Sequence, residues 1–242
     1  MNIDMPAAAA AYKLLMENAL LRADMYQLLA MGFLDPTRDL AAGLADGTFQ
    51  NDVLATANNL VVAYHVDGEV AETILGPTKE LLAEEFAEDA EELYHELAVE
   101  YTRLFIGPGQ PVVSPYESVH VDSDEDSPAL LMVGPSARAV IKVYREAGLD
   151  MAEGVNEPPD HIATEIEFMY YLCRQEAGAW QASDSAEART WRQRQRTFAA
   201  EHLGAWGIEF CGLVQEHAEV RYYALLGELA SGFFQIESEA TA

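Results

Sequence analysis

Apolar residues recur at helical spacing along almost the whole chain, and this periodicity limits the possible folds more than any other feature. Between residues 7 and 33 the apolar positions include Leu14, Leu15, Leu21, Met25, Leu28 and Leu29. Between residues 89 and 105 one face carries Leu93, Leu97, Tyr101 and Leu104. No segment alternates between apolar and polar residues over the length of a strand. The sequence therefore predicts an all-α fold, a single-domain bundle of roughly eight to ten helices spanning residues 1–242.

One long segment, residues 106–127, interrupts the helical pattern. Its first half contains Gly107, Pro108, Gly109, Pro111 and Pro115, which disfavour regular structure. Its second half is acidic. Because a loop of this length is uncommon inside a compact domain, the segment is a candidate for a functional role.

The charge balance limits the classes of partner. The chain has 41 acidic residues against 14 Lys and Arg, a formal net charge of -27. Such a surface repels phosphate backbones, so we expect no nucleic-acid binding. It attracts cationic partners, although acidic residues also serve solubility. No window reaches the roughly 20 apolar residues of a membrane span, and Asp4 stands where a secretory signal needs a basic residue. We therefore expect a cytoplasmic protein without membrane insertion.

Signatures of catalysis are absent from the sequence. There is no Walker-type glycine loop, no dinucleotide fingerprint and no Gly-x-Ser-x-Gly elbow. Cys173 and Cys211 stand in apolar helical contexts and are expected to be buried thiols rather than a disulfide or zinc site. We therefore expect a protein that is not an enzyme and that holds no cofactor and no metal.

Two residue pairs keep an enzymatic alternative open. Glu92 and His95 have the Glu-x-x-His spacing of a di-iron helical bundle, but no second pair accompanies them. Asp160 and His161 combine a carboxylate with an imidazole, although neighbours on a helix point about 100° apart. The structural alternative is that Pro158 and Pro159 begin a helix and Asp160 lies in its first turn. A third possibility is a non-catalytic scaffolding bundle.

A group of arginines stands out in so acidic a chain. Arg189, Arg192, Arg194 and Arg196 lie within eight positions. They could bind an acidic partner, but charge runs usually form solvated faces. We expect them to pair with acidic faces of neighbouring helices.

Several short motifs follow one another in a fixed order. Residues 101–105 have an aromatic-x-x-Leu-Phe pattern and are followed by Ser-Pro-Tyr-Glu-Ser-Val at 114–119. Residues 157–161 have the pattern Glu-Pro-x-Asp-His, and residues 198–206 carry His-Leu-x-x-Trp, with Phe210 beyond. In this combination and order, the chain resembles the redox-enzyme maturation chaperones of the TorD, DmsD and NarJ type over about residues 10–235.

The resemblance implies a non-catalytic all-α chaperone. Its partner would be the catalytic subunit of a molybdopterin oxidoreductase, bound at its twin-arginine leader until the cofactor is inserted. A leader of this kind needs a groove that is acidic at one end and apolar at the other. We expect the peptide-binding residues to be Tyr101, Leu104, Phe105, Tyr116, Glu117, Glu157, Pro158, Asp160 and His161.

Within this set, the resemblance suggests different roles. Leu104, Phe105 and Tyr116 would meet the apolar part of the leader, Asp160 and His161 its polar end, and Glu117 an arginine. Leu104 also lies on the apolar face of its helix, which favours core packing. Family members can exchange helices between chains, so the protein would be a monomer or a helix-exchanged homodimer, with residues 106–127 or 149–158 as hinge.

Overall fold

A computed structural model describes residues 5–122, 134–149 and 158–239. These residues form eleven α-helices and no β-strand. The helices are α1 (Met5–Phe33), α2 (Arg38–Asp46), α3 (Thr48–Tyr64), α4 (Gly68–Ala83), α5 (Ala90–Tyr101), α6 (Glu117–Val121), α7 (Pro135–Glu146), α8 (Ile162–Gln181), α9 (Ser185–Glu201), α10 (Leu203–His217) and α11 (Arg221–Glu239). A π-helical turn, Thr102–Ile106, continues α5. The predicted all-α class is confirmed.

The helix count slightly exceeds the roughly eight to ten expected, and two places explain the difference. The single-turn helix α6 lies inside the segment that was predicted to be irregular. In addition, residues 186–218 form two helices, α9 and α10, which meet at His202. The N-terminus of α2 is capped by the Thr37 hydroxyl, which accepts a hydrogen bond from Leu40 N at 3.1 Å.

Helix α4 contains a proline, Pro77, and runs past it from Gly68 to Ala83. Proline lacks the N–H that would bond the carbonyl four residues earlier, so Thr73 loses its helical partner. Gly232 of α11 packs against that carbonyl, and a Cβ at this glycine would lie 2.2 Å from Thr73 O. The absence of a side chain at Gly232 therefore allows α11 to approach α4 closely at this point.

The core lies between long helices that are distant in sequence. α1 packs along α8, while α11 packs against α10 and α4. The largest fully buried side chains are Trp206, Tyr26, Tyr222, Tyr223, Phe33, Phe198, Phe210 and Phe233. Cys173 and Cys211 are buried free thiols, as predicted. Among the described helices, none has the length and apolarity needed to cross a membrane.

A buried ionic network joins α1, α8, α9 and α11. The Arg22 guanidinium donates to Glu176, and Gln195 Nε2 donates to the same carboxylate at 2.9 Å. Arg192 lies 3.7 Å from Glu237. Burial and the charge of Arg22 lower the pKa of Arg192 to about 10. The expectation that the arginines of α9 pair with neighbouring helices is therefore confirmed for Arg192.

Candidate functional site

The first motif folds as the end of α5 and the π-helical turn, and its apolar residues point into the core. Leu104 is fully buried, as its place on the apolar face predicted, and Tyr101 and Phe105 are also buried. The Phe105 ring packs on Phe210 of α10 at 5.9 Å between centroids. The motif therefore anchors its turn through aromatic packing.

The chain leaves this turn through Gly107, which has a φ of 61°. A Cβ at this position would lie 2.7 Å from Gln110 O, so glycine is needed for both reasons. Farther along, Val113 N donates to Leu104 O at 2.8 Å. This hydrogen bond folds the Gly/Pro-rich segment back against the π-helical turn before the chain enters α6.

The second and third motif segments meet at a short antiparallel bridge between Tyr116 and His161. Glu117 N donates to Asp160 O at 2.9 Å, and Ser118 N donates to the Asp160 carboxylate at 3.0 Å. The ring of Tyr116 lies edge-on to that of His161, with centroids 5.4 Å apart. The pairing fixes the start of α6 against the start of α8.

The geometry here corrects the sequence-based placement of Asp160 in a first helical turn. His161 is the N-cap of α8, and its Nδ1 accepts a hydrogen bond from Ala163 N at 3.2 Å. Asp160 precedes the cap, and its carboxylate accepts a hydrogen bond from Ser118 N of α6 instead. The antiparallel bridge between Tyr116 and His161 competes with an earlier start of α8, and it holds Asp160 and His161 outside the helix.

The last motif segment, at the junction of α9 and α10, completes the site. His202 Nδ1 lies 3.2 Å from both carboxylate oxygens of Glu117. Trp206 Nε1 donates to Glu165 of α8 at 3.2 Å. Glu117, Asp160, His161, Glu165, His202 and Trp206 are all buried, and we call these six residues the motif cluster.

Within the motif cluster, Glu165 is in an unusual electrostatic position. Its Oε1 receives no hydrogen bond, and its Oε2 accepts only from Trp206. Burial, together with the negative charge of Glu117, raises the pKa of Glu165 well above its usual range. A proton on Glu165 removes the repulsion between the two carboxylates. Burial and the same carboxylates also raise the pKa of Tyr144, whose hydroxyl donates to Pro159 O at 3.0 Å.

Aromatic contacts connect the motif cluster to the first motif. The His120 ring stacks on Trp206 at 5.1 Å, and Trp206 in turn contacts Phe210 at 5.5 Å. Phe210 is the residue on which Phe105 packs. All motif segments therefore belong to one connected region, although up to 105 positions separate them in the chain.

The structure buries most of the residues that the sequence nominated for peptide contact. Buried are Tyr101, Leu104, Phe105, Glu117, Asp160 and His161; Tyr116 is partly buried and Pro158 is exposed. Glu157 lies outside the described residues. Direct contact of these buried groups with a leader stays a prediction.

Exposed aliphatic side chains lie on α6 and in the segment that leads to it. Between residues 106 and 121 four aliphatic side chains are exposed, by 48 to 64%. They are Ile106, Val112, Val119 and Val121, and we call them the apolar rim. Since α6 begins with buried Glu117 and continues to exposed Val119 and Val121, half of these side chains share one short element with a buried carboxylate.

The residues that sequence reasoning missed are Glu165, His202 and Trp206. Glu165 follows His161 by four residues and falls on the buried face of α8 with Ile162 and Ile166. A carboxylate on an otherwise apolar helical face is a detectable signal, because buried acids are rare without a partner. His202 and Trp206 stood within a motif, but sequence spacing gave no contact to α6.

The metal alternative finds no support in this geometry. Glu92 and His95 are exposed on α5, and His95 Nε2 lies 3.5 Å from Glu91. Across the described ranges, no group of three or more His, Cys, Asp or Glu side chains is arranged to hold a metal ion. These two residues lie on a solvated helix face.

Comparison with known proteins matches the region just described. The family model of the nitrate reductase delta subunit matches residues 71–212, which include every motif segment. The selenate reductase assembly chaperone protein of Thauera selenatis is 34% identical over 141 residues, 57% of this chain and 68% of that protein.

Two further relatives extend the similarity. The perchlorate reductase assembly chaperone protein of Dechloromonas aromatica is 27% identical over 232 residues, 92% of this chain and 91% of the relative. The chaperone protein TorD of Shewanella loihica is 27% identical over 169 residues, 69% of this chain and 72% of the relative. The similarity therefore extends well beyond the motifs.

Proposed function

The chain belongs to the nitrate reductase delta subunit family, and from that premise we propose that it is an assembly chaperone for the catalytic subunit of a molybdopterin-dependent oxidoreductase. Similarity to chaperones named for selenate and perchlorate reductases and to TorD confirms the resemblance to redox-enzyme maturation chaperones. In this proposal the protein acts in the cytoplasm, catalyses no reaction, and binds the subunit before its assembly or export.

The contact proposed is the twin-arginine leader of the client. The observation that carries it is that α6 presents two exposed valines of the apolar rim, Val119 and Val121, on the same short element as buried Glu117. The rim would bind the apolar stretch of the leader by burying surface that is otherwise exposed. Glu117 and Asp160 supply negative charge beneath it, and the net charge of -27 attracts a basic leader over longer distances.

The motif cluster gives this surface a fixed shape. The hydrogen bonds from α6 to Asp160 and the contact of Glu117 with His202 hold α6 against α8 and α10. A peptide would thus meet a preformed surface and lose less affinity to ordering of the chaperone. In this view the buried motif residues position the rim, and the exposed residues make most of the contact.

The test is calorimetric titration with a synthetic leader peptide that carries two adjacent arginines followed by an apolar stretch. We expect binding by the wild-type chain and a loss of about tenfold in affinity for Val119→Ser combined with Val121→Ser. Val70→Ser, an exposed valine of α4, is the matched control and should leave affinity unchanged. A wild-type chain that fails to bind the leader would refute the leader contact.

A second variant probes the charge beneath the rim. Asp160→Asn keeps an oxygen that can accept from Ser118 N but removes the negative charge. We expect leader affinity to fall by about tenfold and to depend less on salt. Unchanged affinity would remove Asp160 from the recognition of the arginines.

A further inference from the structure

A second apolar surface lies far from the motifs in sequence, between α1 and α3. It is a groove with a volume of 450 Å³. Its wall on α1 includes Leu14, Glu17, Leu21 and Asp24, and its wall on α3 includes Val62. We call it the α1–α3 groove. None of the residues named as contacts of the motif cluster or the apolar rim lines it.

The groove exposes large aliphatic side chains. Leu14 is 58% exposed and Val62 is 71% exposed, the latter among the most exposed large apolar residues described. Both lie on regular helices, whose backbone hydrogen bonds do not require an apolar side chain at these positions. Two such residues on facing walls form an apolar strip that another chain could cover.

The charge of the groove has one sign. Its lining contains the carboxylates Glu17 and Asp24 and no Lys or Arg. The two acids are seven residues apart on α1, which places them about 10 Å apart along one face of the helix. Aliphatic Leu21 lies between them. The pattern is acid, apolar, acid along one wall.

Neighbouring cations leave these acids available. Lys13 lies 3.6 Å from Glu17, but both side chains are largely exposed, and such pairs contribute little. Asp24 is exposed; the pKa of its carboxyl is raised by partial desolvation, an effect that Arg174 of α8 opposes. An additional cation in the groove would favour the charged form of Asp24.

We propose that the α1–α3 groove docks a basic amphipathic helical segment of the client subunit, with two cations about two turns apart and aliphatic side chains between them. The groove carries negative charge and exposed leucine and valine, and a segment of this chemistry complements both. The inference rests on the proposed function, because it takes the client as the source of the segment. It adds a contact separate from the apolar rim.

The experiment uses a designed probe rather than the leader. The probe is a labelled helical peptide with two arginines seven residues apart and leucines between them, titrated against the full chain by fluorescence anisotropy. Leu14→Ser combined with Glu17→Arg removes an apolar contact and reverses one charge. We expect the dissociation constant of the probe to rise by about tenfold or more.

The matched control is Leu82→Ser combined with Glu85→Arg, an exposed leucine and glutamate with the same spacing on α4 and just after it. The control should change the dissociation constant by less than about twofold. Failure of the probe to bind the wild-type chain, or equal loss in both double variants, would overturn the groove. So would a groove variant that changes only the oligomeric state, since that assigns the surface to a second copy.

The same variants separate this inference from the proposed function. If the leader does not bind the wild-type chain, the leader contact fails, whereas the groove is judged on the probe peptide alone. If the leader binds but the probe does not, docking in the α1–α3 groove is refuted and the leader contact is retained.

Discussion

Glu165→Gln tests the electrostatics of the motif cluster most directly. In the folded protein the Glu165 carboxyl is buried, accepts from Trp206 Nε1, and is subject to the negative charge of Glu117. A glutamine amide has the same shape, accepts through its oxygen, and carries no charge at any pH. If Glu165 is protonated, the substitution should cost less than about 1 kcal/mol at pH 5.

The difference in free energy of unfolding between Glu165→Gln and wild type should then change with pH in a defined direction. Burial raises the folded pKa of Glu165 above its ordinary value of 4.5. Below pH 4.5 both states hold the proton; above it the unfolded carboxyl ionises first, so wild-type stability falls as pH rises towards the folded pKa. The glutamine variant lacks this loss. Its stability relative to wild type should therefore grow by up to about 1.4 kcal/mol per pH unit above 4.5.

The assay is urea unfolding followed by tryptophan fluorescence at pH 5, 6 and 7 for wild type and Glu165→Gln. Glu209→Gln, an exposed position on α10, controls for the change from carboxyl to amide. Free energies of unfolding that stay parallel for Glu165→Gln and wild type over this range would refute a protonated Glu165. In that case the cluster would hold a charged carboxylate pair.

Other substitutions test the elements that carry the site. Gly107→Ala should destabilise the protein by about 1–3 kcal/mol in urea unfolding, because of its positive φ and the close approach of Gln110 O; an unchanged midpoint would contradict this. Arg22→Met should lower the free energy of unfolding by about 3–5 kcal/mol, since it leaves Glu176 buried with less compensation, and a smaller loss in Arg22→Met with Glu176→Gln would confirm the coupling. Leu104→Ala should cost about 2–5 kcal/mol by calorimetry, and a loss below about 1 kcal/mol would contradict its place in the core.

The sequence by itself determined the fold class and the order of the motif segments. Helical spacing is a local property, so it predicted a helix over residues 7–33 and the buried position of Leu104 without knowledge of the tertiary structure. The motifs likewise identified the family, since their order along the chain does not depend on how the helices pack.

Only the tertiary structure decided which faces meet. A helical period tells which residues share a face, but not which helix covers it. The tertiary structure makes Glu117 a buried partner of His202, and it places Asp160 before the helix that was predicted to contain it, where Asp160 holds α6. The physical reason is that a buried carboxylate needs a hydrogen-bond partner, and the available partners came from helices more than 40 residues away.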